Sequence, residues 1–150
     1  MVMSQLIIAR KDLKMSAGKL AAQVSHASMA FLTNMIRGNV CDISGVEKDT
    51  VVAYVQFDKD TWNDWVNGSF TKIVCEAKNK NHLLKVLEIA SELGLKENID
   101  YFLIKDNCYT ELQPEEFDEN GVGRTLTCIG FRPLPKEVCR QLSKKYQLYR

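Results

Sequence analysis

Lys19, Gln23 and His26 stand at i, i+4 and i+7 within the run Asp12 to Ala27. On a helix that spacing sets an ammonium, an amide and an imidazole along one stripe. A second stripe, Leu20, Val24, Ala27 and Phe31, lies about 100° further round and is the expected core face. Ser16 is a good N-cap, apolar or small residues continue to Met35, and Gly38 stops the pattern. A helix N-terminus is positive and normally draws Asp or Glu. Here no acidic residue occurs from Leu13 through Cys41, while Lys14 precedes the helix and Lys19 lies in its first turn. Gly18 leaves that turn open to close approach. Free N–H groups, a lysine and a glycine at a helix start can compose an anion site. The competing reading is a solvated lysine on an ordinary amphipathic helix.

Several elements must position these groups. The pattern predicts strand 5–10, helix 16–37, strand 51–57, a short helix 60–67, strand 71–76, helix 80–93, strand 101–105, strand 125–131 and helix 135–146. In the middle helix Leu83, Val86, Leu87, Ala90 and Leu93 carry the core period and Gly94 ends it. Strands alternating with helices imply an α/β layer fold with a mixed sheet, and right-handed crossovers place helices on both faces. Asp106 follows the apolar run Tyr101-Phe102-Leu103-Ile104, at the strand end where α/β sheets commonly hold ligands, and Thr110 lies four residues on. Trp62 and Trp65, three apart, are expected to cap an edge of the core; base stacking is the alternative.

A chain of 150 residues is read as one domain with a real core. No apolar stretch approaches the roughly 20 residues that span a bilayer. Met1-Val2-Met3-Ser4 leads directly into a strand without a signal-peptide pattern, so a cytoplasmic location and no membrane partner are expected. Five cysteines, at 41, 75, 108, 128 and 139, form no CxxC pair, and only two histidines are present. No metal site and no organic cofactor are therefore expected. The net charge of +1 conceals a segregation. Residues 1–37 carry five basic and one acidic side chain, residues 38–123 eight and seventeen, and residues 124–150 seven and one. Two basic ends brought together would form a phosphate-facing surface. The terminal Lys144-Lys145-Tyr146-Gln147-Leu148-Tyr149-Arg150 suits phosphate contact or simple docking of the chain end.

The run Arg10-x-Asp12-Leu13-Lys14-Met15-x-x-Gly18-Lys19-x-Ala21-Ala22-Gln23-x-x-His26-Ala27 resembles the opening signature of the second peptidyl-tRNA hydrolase family, the archaeal and eukaryotic type. Lys72-Ile73-Val74, Leu83 to Gly94-Leu95, and Thr127-Cys128-Ile129-Gly130 with Pro133 resemble its later elements in order. Ile104-Lys105-Asp106-x-x-x-Thr110-Glu111-Leu112-x-Pro114 resembles its central Asp-Ala-Gly-x-Thr-Glu-Ile-x-Pro motif. The family's Ala-Gly is Asn107-Cys108 here, and the segments 38–65 and 114–125 are enlarged. The resemblance implies a single-domain three-layer α/β/α sandwich with a small mixed sheet, a homodimer, and a peptidyl-tRNA substrate.

That substrate calls for a positioned water, a group to take its proton and a donor for the tetrahedral oxyanion. The resemblance points to Lys19, Asp106, Thr110, Gln23 and His26 as the catalytic set, and to Arg10, Lys14 and Gly18 for tRNA. Lys19 either pairs with Asp106 or polarises the ester carbonyl. Asp106 is either a base or the anchor for Lys19. His26 is either catalytic or a packing residue. Two rivals stand beside this reading. Cys108 could be a thiolate nucleophile served by His26 or His82. The fold could also be kept as a non-catalytic module that binds tRNA or a protein.

Overall fold

Met3–Arg10 (β1) is buried along all eight residues and forms the centre of the sheet. In the computed structural model, which describes residues 1–43 and 45–150, β1 pairs in parallel with Lys72–Ala77 (β4) and antiparallel with Gly123–Phe131 (β7). Tyr101–Asp106 (β5) adds antiparallel outside β7, and Gln147–Leu148 (β9) adds antiparallel outside β4. The strand order is therefore β5-β7-β1-β4-β9, a mixed sheet. A strand buried on both faces needs no alternation of polar and apolar residues, which is why Leu6-Ile7-Ile8-Ala9 is continuously apolar.

Successive β1 side chains serve opposite layers. Ile7 and Ala9 pack with Ala27 and Cys128 under the long helix Ala17–Gly38 (α1). Leu6 and Ile8 pack with Leu83, Val86 and Leu142 from the helical segments Lys80–Leu84 (α3), Val86–Glu92 (α4) and Lys136–Ser143 (α5). The architecture is the expected α/β/α sandwich. Helix and sheet approach closely at Gly130 of β7, where an added Cβ would stand 2.9 Å from the Ala27 Cβ. Only glycine fits there.

Several expectations need correction. The run 51–57 is not a strand of the sheet. Only Val52–Ala53 (β3) pairs, with Val40–Cys41 (β2), in a separate two-stranded ribbon. The run 60–67 is one turn, Lys59–Thr61 (α2), that widens into a π-helix over Trp62–Ser69. Trp65 is buried edge-on against Phe31, and its indole N–H donates to the Thr71 carbonyl at 2.9 Å; Trp62 stays exposed. The helix 80–93 has an irregular turn at Lys85, and the last helix stops at Ser143, short of 146. The enlarged acidic segment after Pro114 folds as a small hairpin, with Glu116–Phe117 (β6) paired to Gly123 and Arg124. Leu134–Pro135 (β8) pairs with Met3 and Ser4 of β1.

The buried face of α1 also differs from the expected stripe. Gln23, Ala27 and Phe31 are buried, while Leu20 and Val24 are only partly covered. The first turns of α1 overhang the ends of β5 and β7, where the core gives way to polar groups.

Candidate active site

Lys19, in the first turn of α1, and Asp106, the last residue of β5, meet at that end of the sheet. The Lys19 ammonium donates to Asp106 Oδ1 at 2.7 Å and to Thr110 Oγ1 at 3.2 Å. Gln23 Nε2 donates to the same carboxylate oxygen at 3.1 Å, and the Cys108 backbone N–H donates to Oδ2 at 2.9 Å. A carboxylate can only accept, so the Gln23 amide must turn its nitrogen toward Asp106 and its oxygen away. That oxygen accepts from the Thr127 hydroxyl at 2.6 Å, deep in the fold.

Thr127 reaches Gln23 through a local irregularity in the sheet. Ile104 faces Cys128 and Lys105 faces Leu126, which leaves Thr127 as an extra residue on β7. Such a bulge re-aims a side chain. Here Thr127 and Cys128 both serve the α1 side of the sheet.

Burial of Asp106 alone would raise its pKa. The Lys19 ammonium, the Cys108 N–H and the Gln23 amide outweigh that and hold it below the ordinary carboxylate value. Asp106 is therefore an ionised acceptor at neutral pH, better suited to orienting donors than to taking a proton.

The missing acid of the α1 N-terminus comes from far along the chain. Glu111 accepts from the Ser16 backbone N–H at 2.8 Å and from the Ser16 hydroxyl at 2.6 Å; Ser16 Oγ in turn accepts from the Lys19 N–H at 3.2 Å. These bonds hold the Glu111 carboxyl below its usual pKa. One carboxylate so locks the loop carrying Thr110 to the turn carrying Lys19. The absence of any acid near a capped helix start was the available signal for it.

Arg10 is not a surface cation. Its guanidinium is buried at 3% exposure, and all five N–H groups are taken. They donate to both oxygens of Asp12, both oxygens of Glu115 and the Leu126 carbonyl. Burial pulls its pKa down, but the two carboxylates outweigh this and raise it. No donor remains for a phosphate. Arg10 instead clamps the loop leading into α1 to the loop leaving Thr110, a role invisible without tertiary contacts. Lys14 is exposed with φ +49°. Gly18 is exposed, and a Cβ there would meet no atom within 4 Å, so nothing in the protein itself demands glycine.

His26 is exposed on α1 and makes none of the cluster's hydrogen bonds among the described residues. His82 is engaged elsewhere, accepting from the Lys78 N–H at 2.9 Å. The Cys108 thiol contacts Thr125 Oγ1 and the Asp106 carbonyl, with no histidine partner among the described residues. Its backbone is left-handed at φ +61°, the conformation that explains glycine in the resembling motif. No cluster of three metal-ligating side chains is assembled among the described residues.

Comparison with known proteins shows the family of the chain. A family model described as peptidyl-tRNA hydrolase PTH2 matches residues 3–149. A peptidyl-tRNA hydrolase of Methanopyrus kandleri is 33% identical over 147 residues, covering 97% of each chain. Those of Thermoplasma acidophilum and Thermococcus onnurineus are each 28% identical, the first covering 99% of both chains, the second 96% of this chain and 95% of its own. With the match running nearly end to end, the chain belongs to the peptidyl-tRNA hydrolase PTH2 family.

Proposed function

We propose that this protein hydrolyses the ester joining a peptide to the 3′ ribose of tRNA, releasing both. The observation that carries the site assignment is the bridging of Asp106 and Thr110 by one lysine, with Gln23 on the same carboxylate oxygen. Lys19 spends one N–H on Asp106 and one on Thr110, which leaves a third for the oxyanion that develops as water attacks the carbonyl. Thr110 accepts from Lys19, so its own hydroxyl proton is free to orient the water or the ester. Asp106 keeps the ammonium aimed. Gln23 fixes Asp106 from the buried side. His26, exposed and outside the cluster, contributes at most a substrate contact. Lys14 and the open first turn at Gly18 face the approaching RNA.

The whole of residues 1–150 acts as one domain, peptidyl-tRNA is the partner, the site of action is the cytoplasm, and two copies pair as a homodimer. Sedimentation of the purified protein checks the last. Among the described residues no helix is long and apolar enough to cross a membrane.

The test is release of free tRNA from N-acetyl-aminoacyl-tRNA. The wild type turns over, and Lys19→Ala and Asp106→Ala, each still folded by circular dichroism, lose about 100-fold or more in kcat, the scale of removing a preorganised oxyanion donor. Salt-sensitive tRNA binding without turnover would instead favour the non-catalytic module.

A further inference from the structure

Five lysines from three separate parts of the chain line one open groove of about 700 Å³: Lys11, Lys14, Lys78, Lys144 and Lys145. Its two carboxylates are already engaged. Asp12 is held by Arg10, and Glu76, buried, accepts from Gln147 Nε2 at 2.8 Å. None of the five lysines forms an ion pair with an acidic side chain among the described residues. Lys11 does lie over the Tyr149 ring at 4.4 Å and donates to the Arg150 carbonyl.

The groove is built rather than a chance gathering of surface cations. His82 Nδ1 accepts from the Lys78 backbone N–H, so the ring's proton sits on Nε2, which donates to the Lys145 carbonyl at 3.2 Å. The imidazole stacks on Tyr146 with centroids 4.5 Å apart, and the Tyr146 hydroxyl donates to the His82 carbonyl at 2.6 Å. One imidazole–phenol pair thus pins two lysine-bearing segments that lie more than 60 residues apart in sequence. Lys14 at the groove's other side belongs to the loop that enters α1 and leads to Lys19.

We infer that this groove is a track for the sugar-phosphate backbone of the tRNA, running away from the Lys19–Asp106 site around the start of α1. The choice of RNA rests on the hydrolase reading. The groove's position adds that the substrate is held by backbone charge beyond the reacting 3′ end, without base readout. Lysines present compact point charges, which suit phosphates regardless of sequence.

The test uses the full chain and the variant Lys78→Gln/Lys144→Gln/Lys145→Gln, with the corresponding triple Lys→Arg variant as the charge-preserving control. Two substrates are compared: N-acetyl-aminoacyl-tRNA and the same ester on a 3′-terminal CCA trinucleotide. The Gln variant is expected to raise KM on full tRNA about tenfold or more with kcat retained. Its slope of log(kcat/KM) against log salt is shallower by about 2–3, at ~0.7–0.9 per phosphate contact. The preference for full tRNA over the trinucleotide falls in step, and the Arg variant restores both. Equal losses on the two substrates, or an unchanged salt slope, would overturn the inference. So would competition by polyglutamate as strong as by tRNA, which points to an acidic protein partner. If the wild type hydrolyses neither substrate, the hydrolase reading fails. Filter binding of uncharged tRNA then decides the groove alone: a salt slope reduced in the Gln variant upholds it, and identical slopes remove it.

Discussion

Asp106 decides what kind of site this is. A carboxylate serving as general base at neutral pH needs a raised pKa, so that it binds the proton it removes. Here the Lys19 ammonium, the Cys108 N–H and the Gln23 amide overcome the effect of burial and depress it. The consequence has a definite sign. A group whose folded pKa lies below its unfolded value stabilises the fold above the unfolded value, and that contribution disappears as pH falls through the folded one. Activity should therefore show no acid limb due to Asp106 above about pH 5, and the urea midpoint should hold steady there and fall only below about pH 4. Glu111 is depressed as well and acts in the same direction. Asp106→Asn should shrink the low-pH loss without abolishing it. Rate profiles and urea titrations across pH check this. An acid limb near neutrality that vanishes in Asp106→Asn would make Asp106 the base after all.

At the level of elements, the site depends on how α1 begins. Its first turn holds a lysine and no acid, an arrangement that opposes the helix dipole. Glu111 corrects this from the far side of the site by capping Ser16 through two hydrogen bonds. Glu111→Ala should therefore lower kcat several-fold and lower Tm, although Glu111 touches none of the proposed reacting groups. Glu111→Gln, which keeps one acceptor for Ser16, should fall between the two. Enzyme assays and thermal melts on the three proteins decide it, and a Glu111→Ala protein with normal kcat would detach the cap from catalysis. Sequence patterns expose such elements unevenly. α1, β1, β5 and β7 were legible because their apolar periods are long and their caps local. Lys19, Gln23, Asp106 and Thr110 could be named together because motif spacing survives without knowledge of contacts. The run Val51 to Phe57 looked equally strand-like, yet both flanks of β1 are occupied by β4 and β7, and only Val52–Ala53 finds a partner. Arg10 was assigned to tRNA on the resemblance alone, and only the fold brings Glu115 and the Leu126 carbonyl to consume the donors that Asp12 leaves.

Over the whole molecule, among the described residues, the fold gathers unpaired lysines at the site end, where the acids Glu115, Glu116 and Asp118 are each held by a cation of their own. β1 runs from Met3 to Arg10 toward the site, and α1 returns from Ala17 over 22 residues, about 33 Å, to the opposite end. The basic loop from Lys11 to Lys14 and the lysines of 144–145 share one groove at the site end. The acidic stretch that follows α1, with Asp42, Glu47, Asp49, Asp58, Asp60 and Asp64, belongs to the far end, where Asp64 pairs with the chain's amino terminus at 3.4 Å. A polyanion is thus attracted at one pole and repelled at the other, which orients it before contact. Distance sets when this matters. The Debye length is about 30 Å at 0.01 M salt but only about 8 Å at 0.15 M. Neutralising the far pole with Asp42→Asn/Glu47→Gln/Asp49→Asn should therefore raise the association rate constant for tRNA at 0.01 M salt, by about twofold to fivefold. At 0.15 M the effect should vanish, and kcat should not change at either salt. Stopped-flow fluorescence with labelled tRNA reads the rate directly. A change that persists at 0.15 M would mean that the acidic stretch touches the bound RNA instead of acting on it from a distance.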